Sequence, residues 1–129
     1  MQKLDIVTAT ELGKEMNDWR ELKIMVKALA DVARLTIVYH LARQDEIIVT
    51  ELTDILGLSQ PLVSWHLRKL RRAGIIRTRR TGRQVHCSLN RNRYQQCLQR
   101  LGTLVDPTVQ LELLPSGESL IEAEAMLEE

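Results

Sequence analysis

The side chains that could do chemistry here are mostly amides, hydroxyls and guanidiniums, concentrated in the middle of the chain. Residues 59–105 contain 11 lysines and arginines and no aspartate or glutamate. Residues 1–58 contain 7 basic and 10 acidic residues, and residues 106–129 contain 7 acidic residues and no basic ones. The net charge of +1 therefore conceals a basic block, which predicts a surface that binds a polyanion such as nucleic acid.

The stretch that starts at Ser59 carries groups suited to base edges and phosphates. Val63, Leu67 and Leu70 recur at i, i+4 and i+7, so they mark the buried face of a helix and leave the opposite face outward. Glutamine can pair with adenine, arginine with guanine or phosphate, and helix N-terminal N–H groups with phosphate. The residues expected to contact DNA are Ser59, Gln60, Pro61, Ser64, Trp65, His66, Arg68 and Arg72.

Two aromatic residues of this helix leave alternatives open. An exposed Trp65 either touches thymine methyls or the sugar-phosphate backbone, or folds back against a neighbouring helix or the β-hairpin (the wing) that residues 76–89 predict. His66 lies beside the buried stripe, so it either braces the helix or contacts phosphate.

After Gly74 the period of the pattern changes from that of a helix to that of a strand. Residues 76–80 and 84–89 flank residues 81–83, which predicts a β-hairpin, the wing, with Gly82 at its tip. Four arginines lie on and around this hairpin with no acid nearby in the sequence: Arg77, Arg79, Arg80 and Arg83. This placement favours contact with phosphates or the minor groove over a merely solvated hairpin.

Amphipathic helices must position this unit. The patterns predict helices over residues 8–18, over residues 22–30 and from an N-cap at Asp31 to about residue 44. A short helix over residues 51–56, capped by Thr50 and stopped by Gly57, would complete a helix-turn-helix with the helix from Ser59. The predicted fold is mainly α with a small β-hairpin wing, a winged helix-turn-helix.

A last helix, capped by Asn90 or Asn92 and ending before Asp106, carries a long apolar stripe. Together with the stripe that begins at Leu22, it predicts a dimer interface formed by Leu22, Met25, Tyr94, Cys97, Leu98 and Leu101. Residues 1–106 would then form the DNA-binding and dimerisation domain. Residues 107–129 would form an acidic tail, either a short helix or disordered.

These segments resemble the ArsR/SmtB family of winged-helix repressors. The resemblance covers residues 20–100 and is most specific in Ser-x-His-Leu from Ser64 and in Leu-x-x-Ala-Gly from Leu70. It implies a homodimer built partly on the first and last helices, palindromic operator DNA, and repression relieved by a metal ion or another signal. By position, Gln60, Pro61, Ser64 and Trp65 match the base-approaching residues, although a polar or basic residue is expected in place of Trp65.

Metal sensing in this family uses cysteines near the first helix of the helix-turn-helix, or carboxylates and histidines on the last helix. Ile48 and Thr50 stand where the thiols would fall, and residues 91–100 contain no histidine, aspartate or glutamate. We therefore expect no metal site and no cofactor, and the effector is left open. Cys87 and Cys97 are expected in the core, or alternatively as redox-active thiols activated by arginines near Cys97.

Other classes of protein are disfavoured. No apolar run approaches the roughly 18 residues of a membrane span and the N-terminus lacks a signal peptide, so a cytoplasmic protein with reduced thiols is expected. An enzyme is not expected, because no nucleophile stands beside a base and no glycine loop could cradle phosphate. The sequence predicts a homodimeric repressor that binds double-stranded DNA through the helix from Ser59 and the wing. The alternative is a winged helix that serves as a protein-protein interaction module.

Overall fold

The computed structural model of the protein describes residues 9–111 and 117–127. The predicted domain over residues 1–106 and the predicted tail over residues 107–129 each extend outside the described residues, at residues 1–8, 112–116 and 128–129. The elements follow one another as Ala9–Leu29 (α1), Val32–Leu41 (α2), Ile47–Ile48 (β1), Val49–Leu56 (α3), Gln60–Arg72 (α4), Ile76–Thr81 (β2), Gln84–Leu89 (β3), Arg91–Val105 (α5) and Gly117–Leu127 (α6). The predicted fold, mainly helical with a hairpin wing, is confirmed.

Helix α1 is one continuous helix of 21 residues, which corrects the prediction of separate helices over residues 8–18 and 22–30. Residues 19–21 contain neither glycine nor proline, so nothing in the local sequence breaks the helix between the two patterns. The predicted N-cap of α2 is confirmed, since the Asp31 carboxylate accepts a hydrogen bond of 3.1 Å from the backbone N–H of Arg34.

Helix α3 begins two residues before the predicted start. Its N-cap is Ile48, which offers no side-chain acceptor, and Thr50 lies inside the first turn, so the predicted cap at Thr50 is wrong. The reason is long-range. Ile47 and Ile48 pair with β3 as the short strand β1, and the helix starts where that extended backbone ends.

The turn between α3 and α4 follows the prediction. Gly57 adopts a left-handed conformation with φ of 63°, and its N–H donates to the carbonyl oxygen of Thr53. Ser59 then caps α4, since its hydroxyl oxygen accepts from the N–H of Leu62, and Pro61 occupies the first turn. The two helices therefore form a helix-turn-helix whose second member is α4.

The sheet has the strand order β1-β3-β2, and both pairs are antiparallel. Strands β2 and β3 form the predicted hairpin, with Thr81 opposite Gln84 and a two-residue loop whose Gly82 has φ of 60°. Strand β1 joins the other edge of β3, where Ile47 pairs with Cys87. The sequence did not predict this third strand, because two residues carry no detectable alternation.

The core lies where α1, α2, α3 and α4 meet the sheet and α5. The inner side of α4 contributes Val63, Leu67 and Leu70 to this core, as the sequence predicted. Met25 and Cys97 are also fully buried inside the protomer. This corrects their predicted place at a dimer interface, because their side chains have no surface left to offer a partner.

After α5 the chain turns at residues 106–108 and returns along the helix. The Gln99 amide donates to the carbonyl oxygen of Val109 at 2.6 Å and accepts from the N–H of Leu111 at 2.9 Å. Val109 packs so closely that a Cβ added to Gly102 would lie 2.8 Å from its side chain. Of the two alternatives for the acidic tail, the structure shows the short helix, α6. Its Glu124 pairs with Arg43, which lies just beyond the end of α2.

Replacing Gly57 with alanine should lower the free energy of unfolding by about 1 kcal/mol, because a Cβ disfavours the left-handed backbone even though open space surrounds it. Gly57→Asn is the matched control and should lose less, since asparagine tolerates this conformation better. Urea unfolding at one fixed protein concentration measures both. An alanine variant as stable as the wild type would contradict the assignment of strain to this turn.

Candidate nucleic-acid interface

Helix α4 and the β2–β3 hairpin form the walls of an open cleft of about 600 Å³. The helix lines it with one amide, one hydroxyl and two guanidinium side chains, from Gln60, Ser64, Arg68 and Arg71. The hairpin lines it with Thr78, Arg80, Arg83 and Gln84, and the start of α3 adds Thr50. The lining contains four guanidinium groups and no carboxylate, so the cleft is strongly cationic.

The structure brings together residues that the sequence assigned to two separate elements. Gln60, Ser64 and Arg68 of α4 share the cleft with Arg80 and Arg83 of the hairpin. Ser59, Pro61, Trp65 and Arg72 are exposed on α4 but do not line the cleft. The predicted contact set is thus divided between the wall of the cleft and the neighbouring surface of the helix.

Arg71 is a cleft residue that the sequence prediction missed. It follows Ser64 by seven residues and Arg68 by three, so it lies on the same stripe of the helix. The spacing alone would have been enough to predict Arg71 as a residue of this surface. Thr50, Thr78 and Gln84 were also missed, and only the tertiary fold brings them to this cleft.

Arg79 does not share the cleft with Arg80. Side chains alternate along a strand, so Thr78 and Arg80 face the cleft while Arg79 faces away from it. There it donates two hydrogen bonds, of 2.8 and 3.2 Å, to the carboxylate of Glu46. The hydrogen bonds from Arg79 lower the pKa of Glu46. The expectation that no acid lies near the wing arginines is therefore wrong for Arg79, because Glu46 is distant only in sequence.

His66 faces the interior, not the outward side of α4. It is only 6% exposed, and its Nδ1 lies 3.1 Å from Nη1 of Arg34 on α2. Of the two alternatives for this residue, the structure therefore matches the bracing of the helix, and the direct DNA contact predicted for His66 is corrected. The ring has too little surface to meet a phosphate.

Trp65 packs against a neighbouring helix, which is the second of its two alternatives, and it also stays partly exposed. The side chain is 42% exposed on the outward side of α4, yet the guanidinium carbon of Arg34 lies 5.6 Å from its ring centroid. The ammonium group of Lys69, one helical turn further on, lies 5.1 Å from the same centroid. Both distances fall within the range of cation–π attraction. The ring is therefore held between two cations while part of its surface faces solvent.

Two arginines of the basic block have internal roles. Arg91 donates to the carbonyl oxygen of Ala42 after α2, and Arg93 donates to that of Ala73 after α4. Carbonyl groups at helix C-termini lack partners in the helix, and cations near them are favourable. These two arginines therefore hold α5 against the ends of α2 and α4, and the surface charge is smaller than the sequence count implies.

Both cysteines are buried in the core, on β3 and α5. Burial, and to a lesser degree the charge of Glu46, raises the pKa of the Cys87 thiol to about 11. Burial also raises the pKa of Cys97, although Arg93 and Arg100 act in the opposite direction. The expected activation of Cys97 by arginines is thus outweighed by desolvation, which favours the core role of both thiols.

Within residues 9–111 and 117–127, no three histidine, cysteine, aspartate or glutamate side chains are grouped so that they could hold a metal ion. In the same part of the chain, no helix is both long and apolar enough to span a bilayer.

Known proteins are similar to this chain in sequence and in fold. Residues 31–78 match the family model described as bacterial regulatory protein, arsR family. The arsenic resistance transcriptional regulator ArsR1 of Pseudomonas putida is 42% identical over 78 residues, which are 60% of this chain and 61% of that protein. The biofilm growth-associated repressor of Agrobacterium fabrum is 38% identical over 81 residues, which are 63% of this chain and 68% of that protein.

Among solved structures, reduced HlyU from Vibrio cholerae superposes with a TM-score of 0.58 at 32% sequence identity. The match covers 68% of this chain and 95% of HlyU. The chain spans 44% to 61% of the length of the first curated relatives that it matches.

A helix-turn-helix followed by a hairpin, with a cationic cleft between them, defines the class of winged helix-turn-helix proteins. Within that class, the chain belongs to the ArsR/SmtB family.

Cys87 and Cys97 should react slowly with a disulfide reagent such as dithionitrobenzoate at neutral pH, because burial shields both thiols and disfavours their thiolates. The released chromophore measures the rate of reaction. In denaturant, both thiols should react rapidly. Gln44→Cys is the control, since residue 44 is exposed and its thiol should react rapidly in the folded protein. Native thiols as fast as that control would show that the core opens readily.

Proposed function

We propose that the protein is a homodimeric repressor that binds palindromic double-stranded DNA, with α4 in the major groove and the β2–β3 hairpin against the flanking backbone. The observation that carries this proposal is the cleft between these elements, which four guanidinium groups line without a carboxylate. Such a surface attracts a polyanion, and the major groove is wide enough to admit an α-helix with polar side chains on its exposed side.

The two halves of α4 have different parts in this proposal. Its N-terminal half presents the Gln60 amide, the Ser64 hydroxyl and the backbone N–H groups of the first turn, which suit base edges and phosphate. Pro61 and Trp65 add apolar surface for thymine methyls. Further contacts come from Ser59 at the cap and from Arg68, Arg71 and Arg72 in the C-terminal half, which suit phosphates.

The hairpin supplies the second part of the contact. Arg80 and Arg83 face the same cleft as α4, so they would meet the backbone next to the groove that α4 enters. Arg79 is bound to Glu46 on the other side of the sheet, so it would reach DNA only by giving up that ion pair. We therefore place Arg79 outside the principal contact set.

A dimer is supported by apolar side chains left exposed on α5. Leu101, Leu104 and Val105 are all exposed, and a groove beside Leu104 is floored by Leu22 of α1. An ion pair of 3.1 Å between Arg100 and Glu21 fixes α1 to α5. Tyr94 and Leu98 are partly buried, so only part of either side chain could meet a partner. The apolar side chains of the two helices, beside the charged Asp18 and Arg100, thus form a surface that a second copy of the chain could cover.

The test of the proposal is selection of binding sites from random duplexes, followed by affinity measurements at several salt concentrations. We expect a palindromic consensus, and an affinity that falls by about 0.9 log units per log unit of salt for each neutralised phosphate. An affinity that does not change with salt would overturn the assignment of the cleft to DNA.

Arg80→Ala should weaken binding to the selected duplex about tenfold, the loss of roughly 1.5 kcal/mol for one charge-assisted hydrogen bond. The matched control is Arg77→Ala, which removes an equal charge from the same strand but from the side that faces away from the cleft. Fluorescence anisotropy measures both. Equal losses in the two variants would show that net charge, and not the cleft, governs binding.

Leu104→Glu should convert the dimer to a monomer, because it places a charge in the proposed interface. Leu35→Glu is the control on α2, with 52% exposure against 56% for Leu104, and should leave the dimer intact. Sedimentation velocity distinguishes the two states. A dimeric Leu104→Glu protein would exclude this part of α5 from the interface.

A further inference from the structure

We propose that Arg34, on α2, is a positioning residue for DNA recognition, which fixes the orientation of α4 and of the exposed Trp65 through contacts with His66 and with the indole ring. This role rests on DNA binding by α4 as proposed above. Arg34 does not line the cleft, and neither charge nor spacing in the sequence marked it as part of the recognition surface.

The guanidinium of Arg34 is itself held at the junction of two helices. Its Nε donates a hydrogen bond of 2.6 Å to the carbonyl oxygen of Ala28, in the last turn of α1. Carbonyl groups in that turn have no donor within their own helix, and a cation there is favoured. The backbone N–H of the same residue is bound by the Asp31 cap. The backbone N–H and the Nε of Arg34 are therefore both held by α1 and the α2 cap, and the Nη atoms are left to contact α4.

The contact with His66 has a defined polarity. A guanidinium can only donate, so Nδ1 of His66 must accept the 3.1 Å hydrogen bond from Nη1 of Arg34. An Asp31 carboxylate oxygen lies 3.7 Å from the same Nδ1, which is too long for a hydrogen bond. The neutral ring with its hydrogen on Nε2 fits the shorter contact. A buried ring bound in this way resists rotation of α4 about its own axis.

The same guanidinium also reaches the neighbouring residue, whose ring is exposed. The Arg34 carbon lies 5.6 Å from the Trp65 ring centroid, and the rings of Trp65 and His66 meet edge to face with centroids 5.1 Å apart. One side chain of α2 therefore contacts an inward and an outward residue of α4 at once. A ring fixed before binding loses less conformational freedom on DNA, which favours affinity.

The experiment uses the full chain carrying Trp19→Phe as the parent, since this leaves Trp65 as the only tryptophan. In this parent, Arg34→Met removes every hydrogen bond of the guanidinium while keeping much of its apolar length. His66→Asn keeps an acceptor near the position of Nδ1, and His66→Leu removes it. The matched control is Arg43→Met, just beyond the C-terminal end of α2, where the arginine pairs with Glu124 and lies over the Tyr39 ring.

We expect Arg34→Met to weaken binding to the selected duplex about tenfold without changing the salt slope, because a positioning residue neutralises no phosphate. The Trp65 emission maximum should shift to longer wavelength, since the ring becomes more accessible to water. His66→Leu should weaken binding comparably, His66→Asn should restore most of the affinity, and the double variant Arg34→Met/His66→Leu should lose no more than either single variant. Arg43→Met should match the parent.

Three results would overturn this role: parental affinity in Arg34→Met, a salt slope reduced by about 0.9 that shows a direct phosphate contact, or additive losses in the double variant. If Arg34→Met does not fold by circular dichroism, the comparison of His66→Asn with His66→Leu decides, and equal affinities overturn the role. A wild-type chain that binds no duplex would overturn the proposed function and this role with it. If the parent binds the duplex normally, any of the results named above rules out the positioning role of Arg34 and leaves the proposed function standing.

Discussion

The burial of one side of α4 is the constraint on which the rest of the structure depends. Val63 and Leu70 are fully buried among residues of the other helices and the sheet, which fixes both the position and the rotation of the helix. Once that side is fixed, Ser64, Arg68 and Arg71 can only face the hairpin. The hairpin then completes the cleft, so a packing requirement in the core determines where the positive charge is displayed.

The arginines of this chain divide into groups by what their guanidinium meets. Arg91 and Arg93 donate to backbone carbonyl groups after α2 and α4, and Arg79 pairs with a carboxylate. Arg68, Arg71, Arg80 and Arg83 face one another across the cleft, and no carboxylate of its lining stands between them. Like charges gathered in this way gain nothing from folding, so their arrangement is best explained by an anionic partner.

Local signals predicted most of the fold. The caps at Asp31 and Ser59 were predicted, and Asn90 was one of two candidates for the last helix, because each sets a side-chain acceptor beside the first turn of a helix. Gly57 and Gly82 were found because their turns require positive φ. The cleft residues of α4 were largely predictable too, since the buried stripe defines its opposite side.

What the sequence could not predict depends on residues that are far apart in the chain. Strand β1 exists only because β3 offers it an edge, and Glu46 meets Arg79 only because that strand brings it there. The apolar stripe that includes Met25 could equally serve a core or an interface, and only the packing of several helices decided for the core. The contact between Arg34 and His66 joins residues 32 positions apart, for which one sequence carries no signal.

The close approach of Val109 to Gly102 also limits how this chain can evolve. A side chain at position 102 would meet the valine methyl group at 2.8 Å, and the returning backbone is tied in place by Gln99 on either side of residue 110. A larger residue at 102 is therefore tolerated only with a smaller one at 109. In homologues that keep this returning segment, the two positions should covary, whereas the exposed residue 110 between the two tied positions is free to vary independently.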